Sequence, residues 1–425
     1  MSKTAVSGLA PAIHRAASAA LAAELPFTIR AWDGSEHRPR ESAATVVLTS
    51  PTAARDIVWR PGELGVARAY VRGALDVEGD LGAALSRLRS LASEAGSTRS
   101  MALRARRYYR PLLRTLAAHD GLARPPAPPP EEARLSGRLH SQLRDRSAIS
   151  HHYDLGNDFY ELILDDTMAY SCGLWESKDE PTIANSTKAS MAKLDLVCRK
   201  LGLRAGMRLL DVGCGWGALL VHAATKYGVE ATGITLSQEQ AAYARRRLAE
   251  GGLADRVSVL AQDYRELGTG RFDAVASLEM GEHVGPRQYP TYLRTMHDAL
   301  RPGGRLLLQQ MSRNGKAGGG SFIESYIAPD MHMRPIDETC ALVRRTGFEI
   351  RTMQGMREHY VRTALAWAHN LENRWSDVVV LAGERTARIW RLYLAGGALA
   401  FAENRMGVDQ ILAVRPHPDG SSGLD

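Results

Sequence analysis

Cysteine is scarce in this chain. Of 425 residues only Cys172, Cys198, Cys214 and Cys340 are cysteine, and none forms a C-x-x-C pair or a zinc-ligand spacing. Neither a disulfide framework nor a metal site is expected, and the thiols are read as reduced, as in a cytosolic protein. Long apolar runs are also missing. None approaches the roughly 20 residues needed to cross a bilayer, and the longest candidate, Leu394 to Ala402, contains glycine and reads as a buried helix. His14 and Arg15 break the alanine-rich N-terminal segment, so no signal peptide is expected.

Two nucleotide fingerprints are lacking as well. No G-x-x-x-x-G-K-[ST] loop is present to grip phosphates, and no G-x-G-x-x-G is followed by a ribose-binding acid. There is no RRM-type signature and no internal repeat. What remains is ordinary in bulk, 24% charged and 44% apolar, with a net charge of +7. That excess points to an anionic partner, a lipid headgroup or a nucleic acid, or simply to a solvated basic surface.

The most informative stretch is LLDVGCGWG, Leu209 to Gly217. An apolar strand enters a glycine-dense turn, and a helix rich in Ala, Leu and Val follows. Glycine lets the backbone turn sharply and approach a ligand, and the helix start offers free N–H groups. The spacing is G-x-G-x-G, and the next strand, Glu230 to Ser237, ends without a carboxylate. S-adenosylmethionine (SAM) therefore suits the turn better than a nicotinamide cofactor.

The chain divides into three parts by composition. Residues 1–122 alternate short β-like runs (Phe27 to Arg30, Thr45 to Leu48) with helices over 63–118, a small α+β domain. Residues 123–145 begin with a Pro-rich stretch, an extended linker. Residues 146–425 place strand ends near Asp211, Thr235, Ala261, Ser277 and Gln310 between helical segments. That is an α/β fold with a doubly wound, Rossmann-like sheet, its ligands at the carboxyl ends of the strands. Arg99, Arg104, Arg106, Arg107, Arg110 and Arg114 interleave with Leu103, Tyr108, Tyr109, Leu112 and Leu113. This reads either as a basic amphipathic helix lying on anionic phospholipid or as a solvated or packed helix face.

Several ordered motifs carry a family resemblance. His152-Tyr153-Asp154-Leu155-Gly156-Asn157, Tyr170 to Trp175 (YSCGLW), LLDVGCGWG, GITLSQEQ from Gly233, QDYREL from Gln262 and GEHVGPRQY from Gly281 resemble the cyclopropane-fatty-acid synthases, and Gly62 to Leu81 resembles their N-terminal domain. The resemblance implies a class I SAM-dependent methyltransferase. The cofactor would lie over Gly213, Gly215 and Gly217 with Asp211 positioning it. Tyr170 and Ser171 would close over it. Thr235, Leu236 and Gln240 would surround the ribose, and Gln262, Asp263 and Tyr264 the adenine.

In that family the methyl group goes to the π bond of an unsaturated acyl chain. The resulting carbocation loses a proton to a base thought to be bicarbonate, held by Cys, Glu, His and Tyr. Cys172, Glu282 and Tyr360 match three of these positions, with Glu282 the leading catalytic candidate and His283 beside it. The fourth departs: the chain reads Leu308-Gln309-Gln310-Met311 where the family has His. An amide donates a hydrogen bond but does not exchange a proton near neutral pH. Gln309 either holds the anion without relaying its proton, or no anion is used.

Gln309 to Pro335 and Leu392 to Pro416 further resemble the actinobacterial fatty-acid C10 methyltransferases of the tuberculostearic (10-methylstearic) acid pathway. That implies an oleoyl phospholipid substrate, a 10-methylene product and a flavin-dependent reductase as functional partner. It also implies a cytoplasmic protein, peripheral at the inner membrane face, with a homo-oligomer as the expected assembly. Gly315 to Gly320 reads as a flap or a plain solvent loop. The rival readings are a true cyclopropane synthase, an RNA methyltransferase drawn by charge, and a noncatalytic lipid-binding scaffold.

Overall fold

The computed structural model describes residues 8–141, 144–145, 155–176, 180–315 and 317–423. The motif residues His152, Tyr153 and Asp154, and Lys316 of the glycine-rich stretch, lie outside the described residues. The chain forms two compact units, one from Met1–Glu132 with Gly383–Leu399, the other from Ala133–Ala382 with Ala400–Asp425.

The first unit holds a four-stranded sheet in the order β2-β1-β3-β4. β1 (Phe27–Arg30) runs parallel to β3 (Ala44–Leu48), while β2 (Glu36–His37) and β4 (Leu75–Glu78) pair antiparallel at the edges. Phe27 and Ile29 point into a core with Leu9, Leu91 and Leu116 supplied by helices. The helical reading of 63–118 is interrupted by β4, between helices Glu63–Val71 and Leu81–Ala95. The Pro-rich stretch is not free of this unit. Arg68 clasps Glu132 at 2.6 and 3.0 Å, and Arg72 donates to the Ala127 carbonyl. Gly383–Leu399 also belongs here, because Arg388 stacks over Tyr70 at 4.6 Å and donates to the Tyr70 carbonyl at 2.7 Å.

The second unit is built on a seven-stranded sheet in the order β10-β11-β9-β8-β5-β6-β7. β5 (Arg208–Val212), β6 (Glu230–Thr235), β7 (Val257–Ala261), β8 (Phe272–Leu278) and β9 (Leu300–Ser312) are mutually parallel. β10 (Glu349–Gly355) and β11 (Gly407–Val414) add an antiparallel edge. Side-chain alternation along β5 divides the core between two layers. Leu209 joins Leu219, Leu220 and Ala244 on one face, and Leu210 joins Leu293, Met296 and Leu306 on the other. The chain leaves β5 outward through β6 and β7, then returns to place β8 on the opposite side. The order reverses there, so a crevice opens at the carboxyl ends of β5 and β8. No described helix is long and apolar enough to cross a membrane.

Candidate active site

The crevice is shaped first by the turn after β5. The amides of Gly213 and Cys214 both donate to the Ile234 carbonyl, at 2.9 and 3.0 Å, which folds the turn back over β6. Gly213, Gly215 and Gly217 have φ of +83°, +53° and +83°, a region L side chains rarely adopt. A Cβ on Gly213 would come within 2.9 Å of Met280, whereas one on Gly215 would meet nothing within 4 Å. The floor is thus left open to a ligand at Gly215. Gly217 stands behind it and starts helix Ala218–Tyr227.

The cleft contains about 1170 Å³ of empty space, part of it open to solvent. Tyr170, Ser171, Asp211, Gly213, Gly215, Thr235, Leu236, Gln240, Gln262 and Tyr264 all line it, as the sequence anticipated. Thr235 donates to Gln240 Oε1 at 2.8 Å, which fixes both side chains at the end of β6. Asp263 is the exception. It is fully buried outside the cleft, accepting from the Arg265 guanidinium at 2.7 and 2.8 Å and from the Arg265 amide at 3.0 Å. Its carboxylate caps a turn.

These residues fit SAM. Asp211 is 2% exposed, and its buried Oδ1 has no hydrogen-bond partner, a vacancy of the kind an amino group fills. Burial pushes its pKa up to about 7, against the pull of Lys193. Tyr160, Tyr170, Trp216 and Trp367 form an aromatic wall, with ring centroids 4.7 to 5.7 Å apart from neighbour to neighbour. Aromatic faces and a carboxylate suit a sulfonium cation.

At the carboxyl end of β8 the structure brings forward a residue outside the motifs noted above. Glu279 lines the cleft with a left-handed φ of +55°, which costs a non-glycine residue about 1–2 kcal/mol. Its Oε1 accepts from the Cys172 amide at 2.8 Å and from Gln309 Nε2 at 2.7 Å, and its Oε2 accepts from the Tyr360 hydroxyl at 2.6 Å. Burial raises its pKa, and the same three donors, with the Lys193 charge, oppose that rise.

Cys172, Gln309 and Tyr360 are the groups expected to hold a bicarbonate. Here the Cys172 amide, Gln309 Nε2 and the Tyr360 hydroxyl donate to Glu279 while the Cys172 thiol donates to the Gly173 carbonyl, and a second anion among them would meet the Glu279 carboxylate. The site does not fit bicarbonate. The Cys172 thiol is fully buried and held protonated, its pKa raised by burial and by Glu279.

Glu282, three residues on, does not line the cleft. It is 1% exposed, and neither carboxylate oxygen has a well-formed hydrogen bond, the amides of Glu282 and Met311 giving weak support. Burial and the Glu279 charge raise its pKa to about 8. His283 does line the cleft, and burial lowers its pKa to about 4, so it is neutral there. The residue signal for Glu279 was a lone carboxylate at the end of a central strand, paired with a glutamine where the family has histidine.

A doubly wound sheet with this strand order, a glycine turn after its first strand and an unpaired acid beneath it defines a SAM-dependent methyltransferase of class I. Comparison with known proteins fixes the family. Residues 140–411 match the mycolic acid cyclopropane synthetase family, and the chain belongs to it. It is 35% identical to a probable fatty acid methyltransferase of Mycobacterium tuberculosis over 409 residues, 94% of this chain and 93% of that protein. It is 29% identical to the tuberculostearic acid methyltransferase UfaA1 of the same organism, over 93% of this chain and 90% of the relative. Among solved structures, the cyclopropane synthase MmaA2 of M. tuberculosis superposes with a TM-score of 0.59 at 31% identity, covering 65% of this chain and 99% of that one. The related CmaA1, solved with S-adenosylhomocysteine, gives 0.59 at 30% identity, with 63% and 97% covered.

Proposed function

We propose that this protein methylates the cis double bond of an unsaturated, oleoyl-type chain in phospholipid and releases a 10-methylene product. A separate flavin-dependent reductase would then saturate that product. The observation that carries the reading is the Glu279 carboxylate, aimed into the SAM cleft and held by three donors.

When bound, SAM supplies an electrophilic methyl group. The π electrons of the alkene form the new C–C bond and leave a carbocation on the neighbouring carbon. A 1,2-hydride shift moves the positive charge to the methylated carbon. Glu279 then takes a proton from the new methyl group, and the C–H electrons close the exocyclic double bond. Loss of the same proton before the shift would close a cyclopropane instead. Tyr170 and Trp216 line the cleft, where they supply π faces for a cation and exclude water that would trap it. The neutral His283 adds no repelling charge. The likeness to UfaA1 over nearly the whole chain supports the methylene branch.

The substrate sits in a membrane, and helix Thr98–Ala118 of the first unit has the chemistry to meet one from the cytoplasmic side. It carries six arginines and no acid. Leu103, Tyr109 and Leu113 are 62%, 43% and 42% exposed, apolar side chains that would enter the headgroup boundary between the arginines.

The test is purified protein with SAM and oleoyl-phospholipid vesicles, followed by proton NMR of the released fatty acids. Vinylic methylene signals support the proposal. Upfield ring protons would make the protein a cyclopropane synthase, and absence of any methylated lipid would overturn both.

A further inference from the structure

Three glutamines stand in one row across three neighbouring strands. Gln354 on β10 is the register partner of Gln410 on β11, and Gln410 is the partner of Gln309 on β9. Gln309 and Gln410 are both 0% exposed, so their amides must find partners inside the protein. Lys200, near the end of helix Ile183–Leu201, lies over the outer end of the row. Its Nζ donates to Gln354 Oε1 at 2.7 Å and to Gln410 Oε1 at 2.6 Å. Gln410 Nε2 in turn donates to Gln309 Oε1 at 2.8 Å, and Gln309 Nε2 donates to Glu279 Oε1 at 2.7 Å.

The direction of this row is imposed from its outer end. An ammonium only donates, so it engages the oxygen of Gln410. The Gln410 NH₂ is then left to face Gln309, and it engages the Gln309 oxygen. Only the Gln309 NH₂ remains for Glu279, which as a carboxylate only accepts. Each amide is set by the one before it, and both ends agree. A histidine at 309 would present a ring whose donor and acceptor nitrogens exchange with tautomer. A glutamine wired this way presents a fixed donor.

We propose that Lys200 and Gln410 are positioning residues: they lock the Gln309 amide so that it always donates to Glu279, and so hold Glu279 ionised and aimed at the cleft. The proposal rests on Glu279 being the proton acceptor. The other groups facing Glu279 are the Tyr360 hydroxyl from helix Arg357–Asn373, the Cys172 amide and thiol from the segment before it, the Lys193 ammonium from helix Ile183–Leu201, and Glu282 beyond β8. Of these residues only Cys172 also meets Gln309, its carbonyl accepting from Nε2 at 3.5 Å, so altering Gln410 leaves the Tyr360 and Cys172 donors to Glu279 in place.

The decisive variants are Gln410→Glu and Gln410→Met. A carboxylate at 410 keeps the Lys200 contact but cannot donate to Gln309. The Gln309 amide then turns round, and its oxygen meets Glu279. Methionine imposes no direction and leaves Gln309 free to donate. The readouts are kcat, KM, the acid limb of the pH–rate profile, and an infrared titration of the protonated carboxyl band that E279Q removes. The titration is run below about 8, where burial has placed the Lys200 pKa.

Q410E should lower kcat by about tenfold to a hundredfold and move both the acid limb and the Glu279 titration to higher pH, with KM little changed. Q410M should do less. Equal losses in both variants that follow thermal stability, or a Glu279 titration that does not move in Q410E, would overturn the proposal. Should Q410E fail to fold, Lys200→Met against Lys200→Arg decides the matter, the arginine restoring the wild-type titration. The infrared readout needs no turnover. Full activity in E279Q would therefore sink the base assignment while the wiring is still judged on its own.

Discussion

Tyr360 donates its hydroxyl to Oε2 of Glu279 across 2.6 Å while its ring lies nearly parallel to that of Phe401 at 4.3 Å. The stack fixes the ring, and the ring fixes the hydrogen bond. A hydrogen bond to an ionised group is worth about 1.5–3 kcal/mol, so Y360F should cost about tenfold to a hundredfold in kcat. The sign of the pH effect follows from which form is stabilised. Tyr360 favours the carboxylate, so losing it raises the Glu279 pKa and moves the acid limb of the rate profile upward. A pH–rate profile of Y360F that overlays the wild type would contradict this.

Glu279 and Glu282 separate the two candidate bases. E279Q removes the only carboxylate among the described cleft residues that holds three side-chain or amide donors of this kind, and loss of a general base costs about 10²–10⁴-fold. Affinity for SAM, measured by calorimetry, should stay near the wild-type value. E282Q replaces a group whose pKa of about 8 already keeps it mostly protonated at neutral pH, so most of the turnover should remain. The reverse order of the two variants would return the role to Glu282.

Much of this site was legible before the structure. The strand that ends at Asp211, the glycines after it and the residues closing β6 and β7 are local features, because a turn that needs positive φ must be written in glycine. The Glu279 cluster is not local. Its donors come from 107, 30 and 81 residues away, and only the folded sheet shows that they converge. The Gln309 departure was visible in sequence, but not that its amide would meet the Glu279 carboxylate. Asp263, expected beside the adenine, spends its carboxylate on Arg265, since the same residue type that reaches an adenine also caps a turn. β10 and β11 were missed, and Gly383–Leu399 joins the first unit through Arg388, whose partners Tyr70 and Leu75 lie more than 300 residues away.

Asp211 gives cofactor binding a pH dependence of its own. Its pKa sits near about 7 because burial disfavours the charge, and the ionised form is the one that receives a cationic amino group. Affinity for SAM should therefore weaken as pH falls through about 7 and level off above it. Calorimetric titrations across that range check the slope, and D211N should bind more weakly and with a flat profile. A wild-type affinity independent of pH would show that Asp211 is not the group that meets the cofactor.

The arginines of helix Thr98–Ala118 make the last prediction. Each basic side chain near an anionic bilayer contributes about 1 kcal/mol, so R106A/R110A/R114A should lose roughly a hundredfold in affinity for phosphatidylglycerol vesicles at low salt. L103S/L113S tests the apolar share separately, and it should weaken binding even at salt concentrations that screen the arginines. Turnover on detergent-dispersed substrate should be unchanged in both, because neither set lies in the second unit that carries the SAM cleft. Vesicle sedimentation and activity, measured side by side, distinguish a docking surface from a solvated helix. Wild-type sedimentation by both variants would make the basic face a solvated one and leave the membrane contact to be sought elsewhere on the protein.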